Sequence, residues 1–386
     1  MRHPLLAFPF RPFFLSCAWA AALLVPLWVL MVSGNVALSP GLPALHWHQH
    51  EMLAGMLYSA IAGFVLTAVC AWTGSPPLRG AWLLALWLLW LLPRLALLAG
   101  VATSLALLLD LLFLPVVAAI VTARVLPARQ WRQLPLVALL LLLWGTDLGF
   151  HLSAEVRWLH ATVLATALLI LLVGGRITPA FSRNWLQRQG REAAGVAEFP
   201  GLERVTAISC LALFVLHVVA MLWPAAVSQL AIAVIAAAAG LTSLWRLATW
   251  RGWLVREEPL LWILHAGLLW VSVGLLLRGA AALGWVSDTV WLHALGSGAI
   301  GTMILGVMAR VALGHTGRPL RPPAGMLTAF WLVLAAGLLR ILTALNTLDW
   351  QLGVTLSSLA WSAAFGLFLW RYTGILRSPR VDGKPG

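Results

Sequence analysis

Long runs of apolar residues, separated by short polar connections, repeat along the whole chain. Each run holds about 20 residues, the length a helix needs to cross a hydrocarbon core of about 30 Å. The runs cover residues 12–32, 49–72, 80–99, 102–123, 134–151, 156–175, 203–223, 227–247, 259–283, 289–312, 324–345 and 351–372. They are too long and too continuously apolar for the strands of an outer-membrane barrel. The pattern predicts an all-α, polytopic membrane helix bundle of about 12 transmembrane helices.

The composition agrees with this pattern. Hydrophobic residues make up 62% of the 386 residues and charged residues only 10%. No soluble core could cover so much apolar surface, so a lipid bilayer must surround it. We predict a single integral membrane domain over residues 1–386, with helices 1 to 6 in 1–176, a polar loop at 177–202, helices 7 to 12 in 203–373 and a tail at 374–386.

Basic residues concentrate on alternate connections, which predicts the orientation. If the N-terminus is cytoplasmic, all but four of the 25 cationic residues lie on the cytoplasmic side, the exceptions being Arg94, Arg157, Arg278 and Arg340. Positive loops stay in the cytoplasm, so we expect both termini, the loop and the tail there. The net charge of +13 is then a topology signal. Because no basic stripe or recognition motif gathers these charges, the sequence does not favour nucleic-acid binding.

Most of the ten histidines lie near predicted helix ends. With this orientation, one set falls near the external face and a smaller set toward the cytoplasm. The external set is His46, His48, His50, His151, His160 and His293, and the cytoplasmic set is His265 and His315. Imidazole is a common ligand of haem iron and copper, and ionisable residues at membrane depth are functional candidates. The alternative for each histidine is an interfacial residue bonded to water, headgroups or carbonyls.

The external set includes a dense polar run, His46–Met52, with three histidines and a carboxylate. If the run is helical, His46 and His50 share one face and could bind a metal; if it is extended, His48 and His50 share a face instead. The sequence leaves both geometries open. Glu51 could orient a histidine or carry protons, or it could simply complement a helix N-terminus.

Other polar groups interrupt the apolar runs. Asp110 lies in the middle of a run, so we expect it to pair or to line a polar cavity, and Asp147 is a further candidate. Arg94, Arg278 and Arg340 are further candidates for buried charge, and the alternative is that they extend to the outer interface. The G-x-G-x-x-G match at residues 296–301 lies inside an apolar helix, which favours close helix packing over dinucleotide binding.

Several motifs, spread over most of the chain, resemble those of the NnrS family of haem- and copper-containing membrane proteins of the bacterial nitric oxide response. They are Phe10–Phe14, Trp47–Met52, Ala62–Phe64, Trp72–Gly74, Gly174–Arg176, Asn184–Trp185, Gly301–Met303 and Gly314–Arg318. The resemblance implies a protein of the bacterial inner membrane that binds b-type haem and copper and protects cells against nitric oxide. The sequence has no C-x-x-C-H motif for covalent haem, which agrees with the b type.

Matched residue by residue, the resemblance implies an outer metal site that includes His48, His50 and His293, with Glu51 as a catalytic candidate. His265 and His315 are the candidates for a second site near the cytoplasm. The tight loop that contains His315 and Arg318 also suits a haem propionate or another anion.

The resemblance leaves open whether nitric oxide is reduced, with a quinol as electron donor, or is sensed or sequestered. It also leaves open which histidine binds which metal. Two other classes compete. Twelve helices in two groups of six also suit a secondary transporter, and the third alternative is a non-catalytic assembly subunit.

Overall fold

The computed structural model describes residues 4–384, except residue 102. Twelve helices in this part of the chain are long and apolar enough to cross a membrane, and the same part holds no β-strand, which confirms the predicted fold class. They are α1 Phe10–Val32, α2 Ala44–Thr73, α3 Ala81–Leu98, α4 Ser104–Val125, α5 Trp131–Ser153, α6 Arg157–Arg188, α7 Pro200–Leu222, α8 Gln229–Thr249, α9 Pro259–Ala282, α10 Asp288–His315, α11 Met326–Ala344 and α12 Trp350–Arg377. The cytoplasmic location of both termini stays a prediction. Arg2, one of the basic residues on which that prediction depends, lies outside the described residues.

Two helices extend beyond their predicted bounds. Helix α2 begins at Ala44, so the histidine run is helical. Helix α6 continues to Arg188, into the predicted loop at 177–202. Gly174 and Gly175 resemble a helix end in sequence, but a Cβ at residue 175 would overlap the guanidinium of Arg246. These glycines therefore serve close packing and do not end the helix.

The chain divides into two compact units. The first unit contains the described residues of Met1–Leu159, Met308–Ala329 and Trp361–Gly386, and the second contains His160–Val307 and Phe330–Ala360. The boundary falls after Leu159 and not in the predicted loop, and two later segments return to the first unit. The predicted single membrane domain stays a prediction.

In the first unit, the beginning and the end of the chain are bonded to each other. Arg11 is fully buried, and its Nη1 donates to the carbonyl oxygens of Leu376 and Ser378, each at 2.7 Å. Trp361 Nε1 donates to the carbonyl oxygen of Ala21 at 2.9 Å. These bonds hold α1 against α12 and satisfy a charge that would be costly alone in an apolar interior.

Two segments of π-helix interrupt the long helices. Glu51–Leu57 follows His50 in α2, and Ala294–Ile300 follows His293 in α10. A π-segment widens the helix by one residue per turn, breaks the usual backbone bonding and is frequent at functional sites. In α2, Trp90 Nε1 lies 3.1 Å from the carbonyl oxygens of both Ala54 and Gly55 and donates to them. The tryptophan of α3 thereby compensates for the widened turn.

In the second unit, glycines allow helices to pack closely. A Cβ at Gly298 would lie 2.7 Å from the ring of Trp270, and a Cβ at Gly337 would lie 3.0 Å from the Cα of Gly298. Helices α9, α10 and α11 therefore approach each other at this point. The glycine motif at 296–301 serves helix packing, as its apolar context predicts.

Candidate metal centre

Four helices of the first unit bring six ionisable side chains to one buried place. The six are His50 and Glu51 on α2, Arg94 on α3, Asp110 on α4, and Asp147 and His151 on α5. No side chain of the six is more than 8% exposed. Ionisable groups are costly at this depth, so a cluster of them indicates a functional site.

Two histidines and two aspartates form the centre of this group. Asp110 Oδ2 lies 3.0 Å from His50 Nε2 and 3.4 Å from His151 Nε2. Asp147 Oδ1 lies 3.6 Å and 3.7 Å from the same two nitrogens. One ligand atom from each of the four residues lies within 4.8 Å of all the others, which is the arrangement of a metal site. We call these four residues the quartet.

The facing atoms of the quartet are buried and lie close together. His50 Nε2 and His151 Nε2 face the carboxylate oxygens of Asp110 and Asp147 at 3.0–3.7 Å. Two imidazole nitrogens and two carboxylate oxygens at this spacing are a donor set that a cation could bind together.

Glu51 and Arg94 surround the quartet. His50 Nδ1 lies 3.0 Å from Glu51 Oε1, and Arg94 Nε lies 3.1 Å from the same oxygen. Arg94 Nη2 also pairs with Asp110, which confirms that Asp110 pairs inside the bundle. The alternative that Arg94 extends to the outer interface is wrong, because two buried carboxylates hold its guanidinium inside.

Local structure explains how the chain presents these groups. Asp147 and His151 are one turn apart on α5 and therefore share a face. His50 and Glu51 are adjacent at the start of the π-segment, and Phe150 stacks on the His50 ring at 5.8 Å between centroids. Phe150 is 2% exposed, so it forms an apolar wall beside the quartet.

The formal charges of the group do not cancel. Glu51, Asp110 and Asp147 carry three negative charges, whereas Arg94 carries one positive charge. With neutral imidazoles the group is therefore left with two negative charges. In an apolar interior this excess requires a divalent cation or two protons.

Gly55 provides the space that Glu51 occupies. A Cβ at residue 55 would lie 3.0 Å from Glu51 Oε2. We expect Gly55→Ala to displace this carboxylate and to weaken metal binding about 10-fold, the lower end of the effect of an outer-shell partner. The measurement is metal retention during titration with a chelator. Gly145→Ala on α5 is the matched control, because no atom lies within 4 Å of its Cβ. Equal losses in the two variants would contradict the expectation.

The other two histidines of the run, His46 and His48, lie outside the quartet. The run is helical, so His46 and His50 share a face, and their rings lie 6.0 Å and 5.8 Å from that of Phe150. His46 does not join the quartet. His48 points elsewhere and stacks on Trp28, with 4.4 Å between the ring centroids. Among these histidines only His50 contributes to the quartet.

His293 belongs to the second unit and has a different environment. Its Nε2 lies 2.7 Å from Nη2 of Arg340, and its Nδ1 lies 2.7 Å from the carbonyl oxygen of Thr289. A guanidinium can only donate, so Nε2 accepts and Nδ1 donates, which makes the ring neutral. Arg340 is thus bonded to His293, not only extended to the interface. The outer set of His48, His50 and His293 stays a prediction.

The cytoplasmic candidates also fall in different units. In the second unit, His265 Nε2 lies 3.2 Å from Ser182 Oγ, and a Cβ at Gly252 would lie 2.7 Å from His265 Nδ1. In the first unit, the His315 ring lies 5.6 Å from that of Phe10. Their pairing in one metal site stays a prediction.

The tail of the first unit folds back over the loop of Arg318. Arg380 donates to the carbonyl oxygen of His315 at 3.0 Å and to both carboxylate oxygens of Asp382. The hydrogen bond from Arg380 lowers the pKa of the Asp382 carboxyl below its usual range. The guanidinium of Arg380 is therefore paired with a carboxylate of the chain itself, and the anion site at Arg318 stays a prediction.

The sequence contains every member of the quartet but does not show that they meet. Asp110 and Asp147 interrupt apolar runs, and His151 is one of several histidines near the predicted external face. The spacing Asp147-x-x-x-His151 is the signal that could have joined two of them, because it places both on one helix face.

Residues 4–380 match the family described as NnrS protein, which is nearly the whole chain. A search of curated proteins finds no match.

Proposed function

Because the chain belongs to the NnrS family, we propose that it is a metal-binding protein of the bacterial inner membrane that binds nitric oxide and protects cells against it. The observation that carries the proposal is the buried quartet, which offers two imidazoles and two carboxylates to a metal ion. The quartet lies on three helices that are long and apolar enough to cross a membrane, and a small uncharged molecule such as nitric oxide can pass through apolar surroundings.

Haem b and copper, the cofactors implied by the family resemblance, fit the chain differently. Asp110 Oδ2 is within 3.4 Å of the Nε2 atoms of both His50 and His151. This carboxylate fills the space between the two rings, so a porphyrin does not fit there. A haem of this protein therefore belongs at another place, for which His265 and His315 remain the candidates. Bound haem would supply an iron atom that takes nitric oxide at an open axial position.

Copper fits the quartet only in part. Copper(II) accepts imidazole and carboxylate, whereas copper(I) prefers thiolate and thioether ligands. No cysteine joins the quartet among the described residues. In the outer set of His48, His50 and His293, the bond between His293 Nε2 and Arg340 must break before that nitrogen can bind copper.

Glu51 is a positioning residue in this proposal. Its bond to Nδ1 directs Nε2 of His50 toward the quartet, which is how an outer carboxylate commonly orients a metal-bound histidine. If nitric oxide is reduced, Glu51 is also the buried carboxylate best placed to carry a proton, and a membrane quinol is the proposed electron donor.

The test is the visible spectrum of protein purified in detergent, oxidised and reduced, with and without nitric oxide, together with metal analysis. We expect bound metal and a spectrum that shifts with nitric oxide. Protein from cells supplied with haem, iron and copper that is colourless and metal-free would contradict the proposal. Consumption of nitric oxide with a reduced quinol separates an enzyme from a protein that only binds the gas.

A proton-coupled transporter is the second candidate, and the charge of the cluster favours it. Two protons, on His50 and His151, would balance the two excess negative charges as well as a divalent metal would. Uptake of a solute into proteoliposomes by metal-free protein, driven by a proton gradient, would support this alternative. Loss of uptake when metal is removed would contradict it.

A further inference from the structure

We propose that the quartet of His50, Asp110, Asp147 and His151 holds a ferrous ion directly, as a non-haem iron site distinct from any haem or copper of the protein. The site itself is inferred from the geometry of the quartet. The inference rests on the proposed function only in naming nitric oxide as the molecule that this iron binds.

Charge gives the first argument. The cluster has two excess negative charges when its imidazoles are neutral, so a divalent ion leaves it neutral. A monovalent ion such as copper(I) would leave one negative charge, and a trivalent ion would leave one positive charge. Uncompensated charge is strongly disfavoured in a site whose side chains are almost fully buried, which favours a divalent ion.

Ligand chemistry gives the second argument. Two imidazoles with carboxylates and remaining open positions are typical of non-haem iron(II) centres. Magnesium and calcium prefer ligand sets made only of oxygen atoms, so the two imidazoles disfavour both ions. The four facing atoms come from three helices, and the Nε2 atoms of His50 and His151 both point at Asp110. This arrangement leaves coordination positions for an external ligand.

The surrounding residues give the third argument. Glu51 fixes the orientation of the His50 ring through Nδ1, and Arg94 binds Glu51 and Asp110 together. Such outer contacts are a usual part of metal sites. The Nε2 atoms of His50 and His151 are thereby held toward the carboxylate oxygens of Asp110, where an ion can contact all three.

The test is to measure total iron against haem iron in the purified protein and to record the electron paramagnetic resonance spectrum after reduction and addition of nitric oxide. We expect about one iron per chain beyond the haem iron. We also expect the high-spin signal of a non-haem ferrous nitrosyl, which differs from the low-spin signal of nitrosyl haem.

Asp147→Asn is the test variant, because Asp147 contacts the two histidines but leaves the pair of Arg94 and Asp110 in place. We expect it to lose most of the excess iron and the high-spin signal while keeping any haem spectrum. Glu155→Gln is the matched control and should retain both, since the Glu155 carboxylate is exposed and lies outside the quartet.

The outcomes separate this inference from the proposed function. Wild-type protein with no iron beyond its haem iron, or with zinc or copper in the quartet, overturns the inference even if a haem binds nitric oxide. Excess iron that depends on Asp147 but gives no high-spin nitrosyl signal supports the iron site and contradicts nitric oxide binding at this iron, and a haem spectrum that still shifts with nitric oxide then supports the proposed function by itself.

Discussion

The His151→Ala variant is expected to lose the metal of the quartet almost completely. His151 supplies one of two imidazole nitrogens, and its Nε2 faces both Asp110 Oδ2 and Asp147 Oδ1. Outer-shell partners alone contribute about 10- to 100-fold to metal affinity, so loss of a direct ligand should weaken binding by more than about 100-fold. The measurement is the metal content after dialysis against a graded series of chelator concentrations.

The control for this variant is Glu155→Gln, a change of an exposed carboxylate that follows α5 and lies outside the quartet. It should keep its metal at every chelator concentration at which the wild type does. Glu51→Gln should fall between the two, because it keeps the side-chain shape but weakens the bond to His50 Nδ1. Metal retention by His151→Ala equal to that of the wild type would show that the quartet is not the metal site.

The Arg94→Met variant is expected to have the largest effect on stability. Arg94 is the only cation of the cluster, and its guanidinium pairs with Glu51 and with Asp110. Removing it leaves two carboxylates buried without their partner, which typically costs about 3–5 kcal/mol. In metal-free protein we expect a strongly lowered thermal unfolding midpoint and poor recovery from the membrane.

Two further variants make this prediction specific. Arg157→Gln removes an arginine that pairs with Glu155, and the two side chains are 46% and 36% exposed. This variant should lower the free energy of unfolding by no more than about 1 kcal/mol. The double variant Arg94→Met with Asp110→Asn removes one of the stranded charges and should recover part of the lost stability. Arg94→Met that unfolds like Arg157→Gln would contradict the assigned role of the buried pairs.

The helices could be predicted from the sequence because lipid imposes one simple rule on every segment. Each crossing needs a long apolar run, and such runs are visible without knowledge of the neighbours. The bounds were less certain where packing competes with local pattern. Gly174 and Gly175 suggested a helix end, but in the structure they accommodate Arg246 inside a continuous α6.

The quartet could be predicted only in part, because its members come from three helices and meet through packing. Asp147 and His151 are joined by their spacing on α5, whereas nothing local in the sequence links His50 to Asp110. The π-segment after His50 was equally invisible, since the bonds of Trp90 to carbonyls of α2 depend on how α3 packs. The pairing of Arg94 with Glu51 and Asp110 could not be predicted for the same reason.

The bonds between Arg11 and the carbonyl oxygens of Leu376 and Ser378 have a consequence for biogenesis. The two ends of these bonds are 365 and 367 positions apart in the chain. A ribosome delivers α1 to the membrane long before α12 exists, and contacts of such long range form late. Until then the guanidinium must remain at the bilayer surface or be held by another partner. The final packing of α1 is therefore one of the last steps of assembly, because it follows the synthesis of α12.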